Sequence, residues 1–251
     1  MRYFDCHLHL PSPDDYGFVR FREYMQSHPN LVGCNLILNS EPEMTVVERR
    51  LRELPDCVQI VPPLPLDLNI PDRLHSLRWY KIHPALHRIS RERIPAVVSL
   101  VGASQARGVV VHHFPWGDQL EYNTSLELII QIAQAYPELP IVATHGGGYE
   151  SWQLRAHTAR LKNIYYDFSI SFSVYAETDY VKPWIQYVER RRNRILFGSD
   201  WPSAEAEPQL KYATELAQRT GMKESELELQ LLENSARLWP RCVMSVNHEN
   251  R

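Results

Sequence analysis

Apolar residues recur along the chain in short runs that are separated by longer amphipathic stretches. The short runs are rich in β-branched and aromatic residues and end in polar, glycine or proline residues, which predicts buried strands. They are YFDCHLHL (3–10), VGCNLIL (32–38), VQIVPPLPL (58–66), WYKIH (79–83), GVVVHHF (108–114), PIVATH (140–145), IYYDFSI (164–170) and RILFGSD (194–200). The intervening stretches include 44–54, 125–136, 180–191 and 209–220, where apolar residues at helical spacing predict amphipathic helices. Pro183 should lie in a first turn or at a kink, and Gly221 should follow a helix end.

The order of these elements predicts the fold class. Eight strand-like runs alternate with eight helix-like runs, and such alternation is typical of an α/β protein with a parallel sheet. Eight repeats in 251 residues favour a closed (β/α)8 TIM barrel that forms a single domain over residues 1–251. An open doubly wound sheet is the alternative. No GxGxxG motif follows any of the strands, so the main dinucleotide-binding signature is absent.

Polar residues end several of the predicted strands, and in a barrel of this type the active site lies at those ends. Six of the eleven histidines occupy such positions, which favours a functional cluster over scattered structural roles. The residues are His7 and His9 on the first strand, Lys81 and His83 on the fourth, His112 and His113 on the fifth, His145 on the sixth and Asp200 on the eighth.

The spacing of the first two histidines is compatible with metal binding. On a strand, His7 and His9 point to the same face, whereas Cys6 and Leu8 point to the other. Imidazole and carboxylate ligands suit zinc, manganese or iron(II), and a catalytic site leaves one position open for water. The metal lowers the pKa of that water and polarises a carbonyl group, while a nearby Asp or His takes the second proton.

Each of these residue types also has a purely structural interpretation. Asp200 could be a turn or helix-capping residue, and the glycines after His145 could simply form a tight turn. Lys81 could be solvated at a strand end, although its position two residues from His83 on one buried face argues against that interpretation. Four aromatic residues beyond strand ends could line a pocket or pack loops, namely Phe114, Trp116, Tyr149 and Trp201.

Composition and charge restrict the class of partner. The net charge is −3, from 27 basic and 30 acidic residues, so there is no electrostatic reason to expect nucleic acid or an anionic membrane as partner. The four cysteines are scattered and indicate free thiols in a reducing compartment. No secretory signal and no transmembrane segment is apparent. We therefore expect a cytoplasmic protein that acts on a small molecule, and a homo-oligomer is compatible with the sequence.

Taken together, these motifs resemble those of the amidohydrolase superfamily. The matching elements are DCHLHL, YKIHP, VVVHH, ATHGGG and FGSDWP, followed by ENSARLW (233–239), which resembles the C-terminal helix of the family. They occur in order from residue 3 to about residue 240. Within the superfamily, the chain resembles the amidohydrolase-related branch that includes the aminocarboxymuconate-semialdehyde decarboxylases. The resemblance implies a TIM barrel with a metal centre.

The resemblance also implies a ligand set. His7 and His9 would bind the metal together with a strand 5 histidine and Asp200, while His145 would bind the metal or act as an acid or base. Strand parity allows only one of His112 and His113 to face the barrel axis, and family habit favours His112. The absence of a strand 4 glutamate implies one divalent ion, with zinc as first choice and manganese or iron as alternatives. A carboxylated Lys81 would permit a second metal.

The implied activity is metal-dependent hydrolysis of a small amide, ester or lactone. Asp200 and His145 would manage protons, and Lys81 and His83 would bind the substrate, with Lys81 helping the metal to stabilise an oxyanion. The alternative is a decarboxylase, in which Lys81 or Arg88 would hold the carboxylate. A deoxyribonuclease fits less well because the chain has no basic track, and a non-catalytic binding barrel fits less well because the ligand set is complete.

Overall fold

The computed structural model describes residues 1–66, 70–113, 120–171, 174, 178–179 and 181–244. Eight short strands alternate with helices along these ranges. The strands are β1 (Tyr3–Leu8), β2 (Leu31–Ile37), β3 (Val58–Val61), β4 (Trp79–Ile82), β5 (Gly108–Val111), β6 (Ile141–Ala143), β7 (Ile164–Asp167) and β8 (Ile195–Leu196). The helices are α1 (Asp15–Ser27), α2 (Glu41–Arg49), α3 (Asp72–His75), α4 (Ile94–Ala103), α5 (Ser125–Ala135), α6 (Ser151–His157), α7 (Val181–Arg191), α8 (Ala206–Arg219), α9 (Glu224–Leu238) and α10 (Pro240–Met244).

The strands are parallel and form two arcs, one of β1–β2–β3 and one of β4 to β8 in sequential order. Between β3 and β4 the ladder is reduced to a single bridge from Pro63 to Lys81. Prolines lack the N–H group that a regular ladder needs, so they can take part in it only as acceptors. The Pro62 carbonyl group accepts a 2.7 Å hydrogen bond from the Lys81 N–H. We call this junction the β3/β4 seam.

A second junction joins β8 to β1 and closes the ring. The Asp200 N–H donates to the His7 carbonyl at 2.9 Å, and the His9 N–H donates to the Trp201 carbonyl at 2.8 Å. Leu8 and Trp201 form the isolated parallel bridge of this β8/β1 seam. The predicted (β/α)8 barrel is therefore the observed fold, with two places where the ladder is thin.

Apolar side chains fill two regions. Residues such as Tyr80, Val109 and Ile164 point outward and pack against the surrounding helices. The second region lies inside the barrel towards the amino ends of the strands, where Trp239 packs between Phe4 and Trp79 at ring-centroid distances of 5.3 and 5.0 Å. This inner cluster closes the lower end of the barrel, so the polar strand ends open at the other end.

Several predicted boundaries needed correction. Helix α2 begins at Glu41, earlier than predicted, because Ser40 and Glu43 form a capping box, and it ends at Arg49. The strands are shorter than the apolar runs that predicted them. Pro183 lies in the first turn of helix α7, which was one of its two predicted positions, the other being a kink. Helix α8 is followed by Gly221 at φ +74°, which confirms the predicted helix end.

Among the helices in the described ranges, none has the length and apolar character needed to cross a membrane.

Candidate metal centre

A bulge in β1 sets the direction of the first two histidines. Asp5 pairs with Cys34 and Leu8 with Leu36, so β1 has one more residue than β2 across this interval. Strict alternation therefore fails. Cys6 packs in the inner cluster, whereas Leu8 packs in the outer cluster, and the prediction that they share a face was wrong.

Three ligand atoms from two strand ends converge at the β8/β1 seam. His7 Nε2 lies 3.1 Å from His9 Nε2 and 3.3 Å from Asp200 Oδ1, and His9 Nε2 lies 3.5 Å from the same carboxylate oxygen. Tetrahedral zinc with bonds of about 2.0–2.1 Å would separate neighbouring ligand atoms by about 3.3 Å. The donor set and its spacing therefore fit a divalent metal such as zinc.

The far sides of both imidazole rings are fixed by hydrogen-bond acceptors. His7 Nδ1 lies 2.6 Å from Asp167 Oδ2, and His9 Nδ1 lies 3.1 Å from the Ile37 carbonyl. When both Nδ1 atoms carry the proton, both Nε2 atoms present a lone pair to the common point. Metal-binding histidines in proteins are commonly oriented in this way.

Burial holds the imidazoles in the neutral form that binds metals. It lowers the pKa of His7 well below the usual value, with the Lys81 charge acting in the same direction, and lowers that of His145 to about 4. Burial would raise the pKa of Asp200, but its interactions with His7 and His9 outweigh that effect and hold it below its usual range. The imidazoles are therefore neutral and the Asp200 carboxylate is ionised, which are the forms that bind a metal ion.

A second group of imidazoles lies beside these three ligands. The ring of His145 lies 4.9 Å from that of His7, and its Nε2 lies 3.3 Å from His112 Nδ1. His83 stacks on His112 with ring centroids 3.8 Å apart. His112 Nε2 is buried and has no hydrogen-bond partner among the described residues. The structure therefore brings together all five predicted metal ligands, three at one point and two next to it.

Lys81 brings a buried cation to the same cluster. Its side chain is 1% exposed, and its Nζ has no hydrogen-bond partner in the part of the chain that the structure describes. Burial lowers its pKa to about 8, opposed by the charges of Asp200 and Asp167. A solvated strand-end lysine is excluded, and the amine is available to an anionic group of a ligand.

His83 is held in one tautomer by the backbone. Its Nδ1 lies 3.2 Å from the Leu86 N–H and accepts from it, so the proton of the neutral ring resides on Nε2. Burial, reinforced by the charge of Lys81, lowers the pKa of His83 to about 2. The ring can therefore donate one hydrogen bond, from Nε2.

Two site residues have unusual backbone conformations. Asp200 has φ +69° and His145 has φ +57°, a region that non-glycine residues rarely adopt and that is enriched at functional sites. Gly198 is required for a different reason, because a Cβ there would lie 2.5 Å from Asp167 Oδ1 and 2.9 Å from the His7 Cβ. The strand 8 motif FGSD thus combines close packing at Gly198 with a sharp turn at Asp200.

Sequence reasoning missed three residues that support the centre. Asp167 orients His7, and Ser169 donates from Oγ to Asp167 Oδ2 at 2.9 Å. Asp5 is fully buried and accepts from the N–H groups of His7 and Ser199 at 3.1 and 3.0 Å. Asp167 is the only charged residue within the seventh strand-like run (164–170), which was a signal that could have found it.

The remaining candidates lie in other surroundings. The His113 side chain points out of the barrel towards Glu150, whereas that of His112 joins the inner imidazoles. Trp201 is 6% exposed and stacks on Tyr24, so it packs the loop after β8 against helix α1. Tyr149 is 41% exposed. Phe114 and Trp116 lie outside the described residues. Arg88 has φ +47°, in the loop after β4.

The barrel, with its polar cluster at the carboxyl ends of the strands, defines the class of protein. A model of the amidohydrolase family matches residues 78–241, which is well over half of the chain. The chain belongs to the amidohydrolase family. No curated protein matches it significantly.

Solved structures show the same fold at low sequence identity. An uncharacterized TIM-barrel protein from Bordetella bronchiseptica is 15% identical with a TM-score of 0.64, and 96% of this chain aligns with 99% of that one. A zinc-bound amidohydrolase from Burkholderia multivorans is 14% identical with a TM-score of 0.57, over 96% and 99% of the two chains. A 2,6-dihydroxybenzoate decarboxylase in complex with 2,6-dihydroxybenzoate is 16% identical with a TM-score of 0.57, over 95% and 98%.

Proposed function

We propose that the protein is a metal-dependent hydrolase that acts on a small amide, ester or lactone. The convergence of His7 Nε2, His9 Nε2 and Asp200 Oδ1 within 3.5 Å of one another is the observation that carries this proposal. Two imidazole nitrogens and a carboxylate oxygen suit zinc, with manganese or iron(II) as alternatives. The zinc bound by the related Burkholderia multivorans amidohydrolase supports the same choice.

The metal site that we propose is built from the two neighbouring groups. His7, His9 and Asp200 form its base, and His112 and His145 lie where they could add ligands or act on the substrate. One divalent ion satisfies the three converging atoms. When bound, it would polarise a substrate carbonyl and lower the pKa of a coordinated water molecule.

The chain's own residues would move protons and bind charge. His145 Nδ1 lies 3.0 Å from the Ser169 carbonyl and donates to it, which leaves the Nε2 lone pair to accept a proton. The Asp200 carboxylate is a second acceptor. Lys81 Nζ would stabilise negative charge that develops on the substrate oxygen, and His83 Nε2–H would donate a hydrogen bond to it.

Elemental analysis of the purified protein tests the metal centre. We expect about one divalent metal per chain in the wild type, and strong loss of it in both His9→Ala and Asp200→Ala because each removes one of three converging ligands. His157→Ala is the matched control, since this histidine is exposed on α6. Unchanged metal content in both ligand variants would refute the assigned centre.

A decarboxylase is the second candidate, favoured by the buried Lys81 amine that no described residue engages. Such a cation could hold the carboxylate of a substrate, and the likeness to 2,6-dihydroxybenzoate decarboxylase supports the same reading. Assays of carbon dioxide release and of hydrolytic products on a panel of aromatic carboxylic acids, lactones, esters and amides would separate the two candidates. Lys81→Met should abolish decarboxylation but leave the metal content unchanged.

A further inference from the structure

The second histidine of the pair that follows β5 has its own set of contacts outside the barrel. His113 is completely buried, and its side chain lies under the segment Thr144–Glu150, which we call the β6 loop. This loop carries His145 into the metal centre. No role in the proposed chemistry has been assigned to His113 or to Glu150.

His113 forms hydrogen bonds with the beginning and the end of the β6 loop and lies close to its middle. Its backbone N–H donates to Thr144 Oγ1 at 3.1 Å. Its ring carbon Cε1 lies 3.6 Å from the position that a Cβ on Gly147 would occupy. Its Nε2 donates to Glu150 Oε2 at 3.0 Å, and the other carboxylate oxygen of Glu150 accepts from Asn123 Nδ2 at 3.1 Å.

The loop needs such support because of its backbone. His145, Gly146, Gly147 and Gly148 have φ values of +57°, +56°, +85° and +51°. Glycine adopts this region at little cost, but the conformation is strained at His145 and persists only when surrounding contacts fix it. The contacts to His113 provide that constraint on both sides of His145.

We propose that His113 and Glu150 are positioning residues that clamp the β6 loop and thereby aim His145 at the metal centre. The two consecutive residues that follow β5 then serve the two faces of the barrel wall, because His112 contacts His145 Nε2 from inside and His113 holds the same loop from outside. The clamp acts through the hydrogen bond from His113 to Glu150 rather than through contact with substrate. The metal-affinity test below rests on the proposed function.

Cobalt(II) binding, followed by visible absorption of the loaded protein, tests the clamp. Glu150→Ala should weaken cobalt affinity about 10–100-fold and change the absorption spectrum, as loss of an orienting partner does in metal sites. Glu150→Gln should stay within about threefold of the wild type, because its amide oxygen still accepts from His113 Nε2 and Asn123 can turn its amide over. Glu127→Ala is the control, since Glu127 pairs with Arg91 on the same outer face.

The cobalt spectrum and the rescue by Glu150→Gln distinguish a positioning role from a purely structural one. If the role were purely structural, Glu150→Ala would lower the melting temperature without altering cobalt coordination. Equal affinity and spectrum in Glu150→Ala and wild type would overturn the proposal, and so would an equal loss in Glu150→Gln. If wild-type protein binds no cobalt, the proposed function fails, and crystal structures of the metal-free proteins decide about the clamp. The distance from His145 Nδ1 to the Ser169 carbonyl, 3.0 Å here, should exceed about 3.5 Å in Glu150→Ala only.

Discussion

The two ends of the barrel interior are built from the same strands but have opposite character. Towards the amino ends, Phe4, Trp79 and Trp239 stack in an apolar cluster that excludes water. Towards the carboxyl ends, the interior holds imidazoles, carboxylates and the buried amine of Lys81. Lys81 Nζ and His112 Nε2, which have no hydrogen-bond partner among the described residues, belong to the second region.

A step of two residues along a strand separates the two regions. Trp79 precedes Lys81 on β4, Val110 precedes His112 after β5, and Tyr165 precedes Asp167 on β7. Because alternate residues share a face, each of these three strands contributes one apolar residue to the lower region and one polar residue to the upper region. The comparison shows that the apolar residues that stabilise the fold and the polar residues of the candidate site lie in separate regions, which we call the lower and upper layers. Substitutions in one layer should therefore leave the other largely intact.

The largest expected effect is on the lower layer. Trp239→Ala should lower the free energy of unfolding by about 3–5 kcal/mol, because it empties a buried site between two aromatic rings. Denaturant unfolding followed by circular dichroism measures this loss. Metal content per folded chain should remain that of the wild type.

The control for that prediction is Trp152→Ala, since Trp152 is 42% exposed. Its loss should cost less than about 1 kcal/mol, the contribution of a surface cation–π contact such as that with Arg155. Loss of bound metal in folded Trp239→Ala would show that the layers are coupled.

The next effect concerns the upper layer. Asp167 accepts from the Ser169 N–H through Oδ1 and from His7 Nδ1 through Oδ2. In Asp167→Asn the side-chain amide nitrogen must face either the Ser169 N–H or His7 Nδ1. If it faces His7, it donates to Nδ1, and the imidazole proton moves to Nε2, where the metal should bind. We expect metal affinity to fall about 10–100-fold with little change in stability, measured by competition with a chelating dye.

Asp179→Asn is the matched control for this prediction, because Asp179 is exposed and pairs with Lys182. Wild-type metal affinity in Asp167→Asn would mean that Asp167 does not select the tautomer of His7.

The smallest effect is expected at the other orienting contact. His9 Nδ1 lies 3.1 Å from both the Ile37 carbonyl and the Asn39 side-chain amide. Asn39→Ala removes only the second of these, and the backbone carbonyl still fixes the ring. We therefore expect metal affinity within about threefold of the wild type, determined by the same dye competition. A loss as large as that in Asp167→Asn would show that the side chain, and not the backbone, orients His9.

The fold and the site residues at the carboxyl ends of the strands could be predicted from the sequence for a physical reason. Buried parallel strands read as apolar runs, and the polar residue that ends each run marks the carboxyl end of a strand. His7, His9, His112, His145 and Asp200 were found in this way, and the structure gathers them at one end of the barrel. Their assignment as metal ligands stays a prediction.

The supporting residues could not be read from the same pattern. Asp167 and Ser169 matter because β7 lies beside β8 and only two strands from β1, and the proximity of β7 to β1 exists only after the ring has closed. The bulge in β1 depends on how β1 pairs with β2, which a one-strand pattern does not contain. The need for Gly198 likewise arises from side chains distant in sequence that pack against its backbone.

The β8/β1 seam has a consequence for the response of the fold to chelators. His7 and His9 belong to one arc of the ring and Asp200 to the end of the other, and the two arcs meet there through a single bridge. An ion held by all three side chains would act as a cross-link between the first and last strands. Its removal should therefore lower the melting temperature and let amide protons around residue 200 exchange faster, since a ligand that binds only the closed ring stabilises closure.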